Sequence, residues 1–69
     1  MKDNKFYNAL KVRLEAKRDA GIATLELFLS SPTAVADHSN LVEEMESLLA
    51  SIAESEDALK TLEHHFGEQ

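Results

Sequence analysis

The 69-residue chain contains no cysteine, no tryptophan, one proline and two glycines. Without cysteine, neither a disulfide nor a cysteine-based zinc site can stabilise the fold. Two glycines far apart, Gly21 and Gly67, exclude a glycine-rich phosphate-binding loop. A chain this short buries little apolar surface by itself. We therefore expect it to gain stability from self-association or from a partner protein.

Long apolar runs are also missing. No uncharged stretch approaches the roughly 20 residues that span a bilayer, and the N-terminal segment lacks the apolar centre of a signal peptide. The composition therefore predicts a soluble, cytoplasmic protein that has no membrane partner.

Positive charge is scarce in the second half of the chain. The net charge is -6; residues 1–29 carry six Lys or Arg against four Asp or Glu, while residues 30–69 carry one against nine. Binding to nucleic-acid phosphates requires clustered Lys and Arg. We therefore expect no nucleic-acid partner.

Apolar residues in the first half have the spacing of one long helix, over about residues 4 to 29. The positions on this stripe are Tyr7, Leu10, Leu14, Gly21, Leu25 and Phe28. Asp3 or Asn4 can act as the N-cap. Gly21 costs about 1 kcal/mol relative to Ala inside a helix. Because the periodicity resumes in phase after Gly21, we expect the helix to continue through it, with another backbone lying close.

The second half has a heptad pattern that indicates a helix with coiled-coil packing. Its positions are Leu41, Met45, Leu48, Ile52, Ser55, Leu59, Leu62 and Phe66. Ser55 is the one polar residue among them. Asn40 and Glu43 fit a capping box at the start, although Asp37 could cap a helix that begins one turn earlier. Gly67 stands where a glycine cap would end the helix.

Two helices of similar length joined by a connection of residues 30–39 predict an antiparallel all-α hairpin, with the second helix over about residues 40–66. The chain is then one domain, and the numbers of facing residues sum to about 70. A basic first helix would face an acidic second helix. The expected pairs are Lys11 and Arg13 with Glu56 and Asp57, and Lys17 with Glu54. Phe6, Tyr7 and Phe66 are expected to meet at the open end of the hairpin.

The connected end of the hairpin is more apolar than one neighbouring helix can cover. A patch of this kind on a soluble chain usually marks an interface. The candidate interface residues are Ile22, Leu25, Leu27, Phe28, Leu29, Val35, Leu41, Val42 and Leu49. We predict a homo-oligomer, with a dimer forming a four-helix bundle as the favoured form, because a two-fold dimer uses one patch twice. A different partner protein is the alternative.

Histidine and acidic side chains do not form a recognisable catalytic or metal-binding motif. His38 is far in sequence from His64 and His65, and the Glu-x-x-His and His-Glu-x-x-His motifs are absent. A metal site would require His38 of one hairpin to meet His64 of another. The adjacent Asp37, His38 and Ser39 include the residue types of a nucleophilic site, but neighbouring side chains point in different directions. We expect no enzyme activity, cofactor or metal.

Several segments resemble small uncharacterised helical proteins that tailed phages of marine bacteria encode. They are Pro32, the run 37–44, the step from Ile52 to Glu54, and the end from Leu59 to Phe66. The resemblance implies a viral accessory or structural protein, in the host cytoplasm or the virion, and no catalytic residues.

These observations together predict a non-enzymatic interaction or assembly protein. The alternative is an acidic inhibitor or regulator, whose second helix would occupy a basic site on a partner protein. The two functions differ in the force that holds the complex, because an electrostatic complex weakens with salt and a hydrophobic one does not.

Overall fold

Two long helices make up the fold. The computed structural model describes residues 1, 3–31 and 40–67. Helix α1 spans Lys5–Ser30 and helix α2 spans Leu41–Phe66. No strand occurs within these described ranges, and the two helices pack along each other. The predicted all-α hairpin is confirmed.

The helix bounds lie close to those expected from the sequence. The predicted ranges were about 4–29 and 40–66, and each observed end lies within one residue of its predicted position. The predicted connection contains Val35 and His38. Both residues lie outside the described part of the chain, as do Pro32 and Asp37.

The two helices begin with different capping. The side chain of Asn4 accepts hydrogen bonds from the backbone N–H groups of Phe6, at 2.9 Å, and Tyr7, at 3.0 Å. Asn4 is thus the N-cap of α1, one of the two residues predicted. Asn40 precedes α2 but makes no side-chain capping bond, so the predicted capping box with Glu43 is wrong. The reason is backbone geometry, since Asn40 has ψ of 62° where Asn4 has the extended 128° typical of an N-cap.

Gly67 ends α2, but not in the left-handed conformation that glycine caps usually adopt. Its φ is -76° and its ψ is -55°, and its N–H donates to the carbonyl oxygen of Glu63 at 2.9 Å. A Cβ atom at Gly67 would collide with the Glu63 carboxylate and would lie only 2.6 Å from the Glu63 carbonyl oxygen, which cannot move away as a side chain can. Space therefore favours glycine here. The same carboxylate accepts a hydrogen bond from the Tyr7 hydroxyl at 3.1 Å, which joins the open ends of the helices.

Two contacts along the hairpin show which residues of α1 face which residues of α2. Tyr7 meets Glu63 at the open end, so facing numbers sum to 70 there. Near the middle, a Cβ atom at Gly21 would lie only 2.9 Å from Cγ1 of Ile52, and the sum becomes 73. The predicted continuation of α1 through Gly21 is confirmed. The close neighbour that we expected to be a backbone is the Ile52 side chain.

The charged residues predicted to pair across the two helices, all within the described part of the chain, do not form ion pairs. Among the described residues, no ion pair within 4.0 Å joins the predicted partners on the two helices. An ion pair joins neighbours on α1, Arg18 and Asp19, at 2.9 Å. Arg18 is half-buried and the charge of Glu56 acts on it, whereas the neighbouring Lys17 is exposed.

Few side chains are buried between the helices. Among the described residues, the buried apolar side chains are Tyr7, Phe28 and Ile52. Ser55 is only 2% exposed, and its hydroxyl has no hydrogen-bond partner. The predicted meeting of three aromatic rings at the open end is wrong for Phe6, which is 86% exposed.

The hairpin is long and thin. It measures 47 × 15 × 15 Å, and its radius of gyration is 15.2 Å, compared with about 11 Å for a compact domain of this length. Its accessible surface is 5335 Å². A compact monomer of 7.7 kDa exposes about 4,300 Å². The single hairpin therefore leaves about 1,000 Å² more surface in water than a compact fold of its mass.

Replacing Gly21 by Ala tests the contact with Ile52. Alanine normally stabilises a helix by about 1 kcal/mol over glycine, but the new Cβ would press on Ile52, and overpacking costs about 1–3 kcal/mol. We expect the free energy of unfolding, measured by urea titration at fixed protein concentration, to stay unchanged or fall by up to about 2 kcal/mol. Ala20→Gly at the exposed neighbouring position is the control and should lose about 1 kcal/mol. A full gain of helix stability in Gly21→Ala would contradict the contact.

Replacing Ser55 by Ala tests the buried hydroxyl. A buried polar group without a partner costs about 1–3 kcal/mol, so its removal should stabilise the hairpin. Ser47→Ala, at an exposed position of α2, gives the same gain in helix propensity and serves as the control. We expect Ser55→Ala to raise the free energy of unfolding by about 1 kcal/mol more than Ser47→Ala. Equal effects would show that the Ser55 hydroxyl is hydrogen-bonded in solution.

Candidate protein interaction site

An apolar groove lies between the helices, near the end of α1 and the start of α2. It is open to solvent and has a volume of about 430 Å³. Nearly all of its lining is carbon. The lining residues are Leu25, Leu29, Val42, Met45, Glu46 and Leu49. We refer to this surface as the apolar groove.

Helical spacing explains why these side chains share one surface. Leu25 and Leu29 are four residues apart on α1, and Val42, Met45 and Leu49 follow each other at three and four on α2. Residues at these separations lie on the same face of a helix. The antiparallel packing then sets the two faces side by side. Val42 is 75% exposed and Leu29 is 65% exposed, so a single hairpin leaves the groove uncovered.

The structure divides the predicted interface residues into groups. Four of them line the apolar groove: Leu25, Leu29, Val42 and Leu49. Ile22 and Leu41 are half-buried, and Phe28 is buried, so its side chain has little surface left for a partner. Val35 lies outside the described residues.

Leu27 has a different position. It follows Leu25 by two residues and precedes Leu29 by two, a rotation of about 200° around the helix axis in each case. Its side chain is 49% exposed. Leu27 therefore lies on the face of α1 that is turned away from the apolar groove.

Sequence reasoning left two groove residues out of the interface set, Met45 and Glu46. The heptad pattern places Met45 in the contact between the two helices of one hairpin, where it is half-buried, but it also lines the groove. Its spacing of three from Val42 and four from Leu49 was the available signal. Glu46 contributes the aliphatic part of its side chain, since nearly all of the lining is carbon.

A charged layer follows the apolar groove toward the middle of the hairpin. We define it as Glu15, Arg18 and Glu56. Arg18 is seven residues, or two helix turns, from Leu25 and lies on the same face of α1. Its Nε donates a hydrogen bond to Asp19 at 2.9 Å, which raises the pKa of Arg18 above its ordinary value. The negative charges of Asp19, Glu15 and Glu56 act in the same direction, while partial desolvation opposes them.

A second concave surface lies on α2 alone. We call it the acidic depression. It is lined by Ala50, Ala53, Glu54, Glu56, Asp57 and Lys60. The two alanines provide a low floor, and three carboxylates against one ammonium group give the depression a net negative charge.

The histidines at the end of α2 are exposed. The rings of His64 and His65 lie edge to face, with centroids 4.8 Å apart. Within the described ranges, no three His, Cys, Asp or Glu side chains are grouped so that they could hold a metal ion. His38, the other histidine considered from the sequence, lies outside those ranges. Neither α1 nor α2 is long and apolar enough to cross a bilayer.

Comparisons with known proteins add no assignment. No protein-family model matches the chain, and neither the curated proteins nor the solved structures include a significant match. The resemblance to phage-encoded helical proteins therefore stays a prediction. Geometry and charge are the basis for interpreting the two surfaces.

Proposed function

We propose that the protein is a non-enzymatic assembly protein that self-associates through the apolar groove into a dimeric four-helix bundle. The observation that carries this proposal is the groove itself. Leu29, Val42 and Leu49 are largely exposed in the hairpin, on a surface that both helices form together. Contiguous apolar surface of this kind is typical of protein–protein interfaces.

Surface area supports a partner of about the size of the hairpin. The excess over a compact monomer is about 1,000 Å². A stable protein–protein interface buries about 800 Å² on each partner. One interface along the groove side of the hairpin is therefore sufficient to bring the exposed area to the ordinary range.

A second copy of the chain is the simplest partner. A two-fold dimer covers the groove of both copies with one contact, because the same patch is used twice. Two hairpins placed side by side also give the four-helix arrangement, in which each helix has two neighbours. The resemblance to phage proteins favours a viral accessory or structural role, in the host cytoplasm or in the virion.

The acidic depression favours a second candidate function. Glu54, Glu56 and Asp57 surround a surface floored by alanine, which would accept a basic side chain or a basic helix of another protein. In this role the protein would be an inhibitor or regulator that binds through α2. The contact would be mainly electrostatic, and it would therefore weaken as salt screens the charges.

The main test is sedimentation equilibrium at micromolar concentration. We expect a folded dimer for the unmodified chain. Val42→Glu should weaken the dimer by more than about tenfold, since it places a charge in a dry contact. Val42 lies in the first turn of α2, where a glutamate is favourable for the helix, so the hairpin should still fold.

A matched control uses the exposed valine on α1. Val12 is exposed and does not line the apolar groove, and Val12→Glu should leave the dimer intact. Two results would contradict the proposal. One is a folded and strictly monomeric parent protein, and the other is equal behaviour of the two glutamate variants.

The second candidate is tested by titration with a Lys-rich helical peptide at increasing salt. If the acidic depression is the site, binding should decrease steeply with salt and should also decrease in the double variant Glu54→Gln, Asp57→Asn. Binding that is the same in the double variant would contradict this function.

A further inference from the structure

We infer that the second copy binds with the two-fold axis parallel to the helices, so that the connected ends lie side by side and α1 of each copy contacts α2 of the other. This inference rests on the proposed self-association and specifies its geometry. The groove position, the helix charges and the level of Arg18 support it independently.

Only two families of two-fold dimer can cover the groove side of the hairpin. When the axis runs along the helices, each α1 lies across from α2 of the second copy, and those two helices are antiparallel. When the axis runs across the helices, α1 lies across from α1, and α2 lies across from α2. A two-fold interface contains its axis, so intermediate arrangements differ from these two only by a crossing angle.

Helix charge separates the two families. Within Lys5–Ser30, five Lys or Arg stand against three Asp or Glu. Within Leu41–Phe66, one Lys stands against seven Asp or Glu. With the axis along the helices, every pair of adjacent helices joins a basic helix to an acidic one, and the two acidic helices are diagonal. With the axis across the helices, the acidic helices are in direct contact, which like charges oppose.

The position of the apolar groove gives the same answer. The groove occupies the connected end of the hairpin, and the charged layer follows it. An axis along the helices keeps each residue level with its copy, so the two grooves meet at the connected end while the hairpins overlap over their full length. An axis across the helices with full overlap sets the groove against the open end of the second copy. If the two copies are instead shifted along the helices until the grooves meet, about half of each hairpin has no partner.

Arg18 provides a third, local criterion. The contact of Gly21 with Ile52 sets the level of the helices and places Arg18 near the level of Glu56. In the proposed orientation, Arg18 of each copy is also level with Glu56 of the second copy, and the charges are complementary. Arg18 lies at the middle of Lys5–Ser30, so with the axis across the helices the two Arg18 side chains would meet each other.

A distance between spin labels at the open end tests the orientation. The chain has no cysteine, so Lys5→Cys gives one label on each copy at the exposed first residue of α1. Each hairpin is 15 Å across, and two hairpins abreast should place the labels within about 30 Å of each other. With the axis across the helices, the helix rise alone separates the labels by about 38 Å at full overlap and by about 60 Å with groove on groove.

Leu27→Cys is the second labelled site and identifies the alternatives. It lies near the connected end and away from the groove, so the label does not disturb the contact. A short distance at both sites is expected. A short distance at Leu27 with a long one at Lys5 would overturn the inference in favour of groove-to-groove contact with the axis across the helices. A distance of about 38 Å or more between the Lys5 labels, with a helix rise of about 29 Å between the Leu27 labels, would overturn it in favour of full crosswise overlap.

Sedimentation of the same labelled samples separates the failure of this inference from that of the proposed function. A monomer would contradict both. A dimer with a long distance between the Lys5 labels would retain self-association and overturn only the orientation.

Discussion

Two helices that lie side by side can bury only the strip of surface along which they touch. This limit explains both the small core of the hairpin and the apolar surface that stays exposed. Tyr7, Phe28 and Ile52 are the buried apolar side chains of the described residues. Leu29, Val42 and Leu49 belong to the same helices but remain largely in water. The hydrophobic stabilisation is roughly proportional to the apolar area removed from water. An isolated hairpin therefore gains only part of the stabilisation that its apolar residues could provide. The apolar groove is the apolar surface that the contact between the two helices does not bury.

The contact between Gly21 and Ile52 has effects beyond local packing. A missing side chain on α1 allows an isoleucine on α2 to come close, which sets the relative level of the helices near their middle. On the packed side of α1, Arg18 is half-buried and the charge of Glu56 acts on it, whereas Lys17 is exposed. Charge pairing therefore follows from packing in this hairpin. Exposed ion pairs contribute only tenths of a kcal/mol, so they adapt to a packing contact more easily than they override it.

The sequence was sufficient to predict two helices, their antiparallel order and the N-cap at Asn4, because periodicity and capping are local properties. It did not predict the absence of a capping bond at Asn40, which depends on the backbone angles of the residue itself. The predicted pairing of Lys17 with Glu54 was wrong, because both side chains are exposed and they form no ion pair. The sequence was also insufficient for part of the candidate site. Leu27 and Leu29 are equally apolar, but only the structure shows that one lines the groove and the other faces away.

Glu63 has a consequence for how the hairpin opens. Its carboxylate accepts from the Tyr7 hydroxyl on α1 and also covers Gly67, where α2 ends, while its carbonyl oxygen accepts from the Gly67 N–H. Helix ends usually fray independently of each other, since each terminal turn has few bonds to lose. Here the Glu63 side chain makes contacts at both helix ends. The first turns of α1 and the last turn of α2 should therefore open and close as a single cooperative unit, although they are separated by nearly the whole length of the chain.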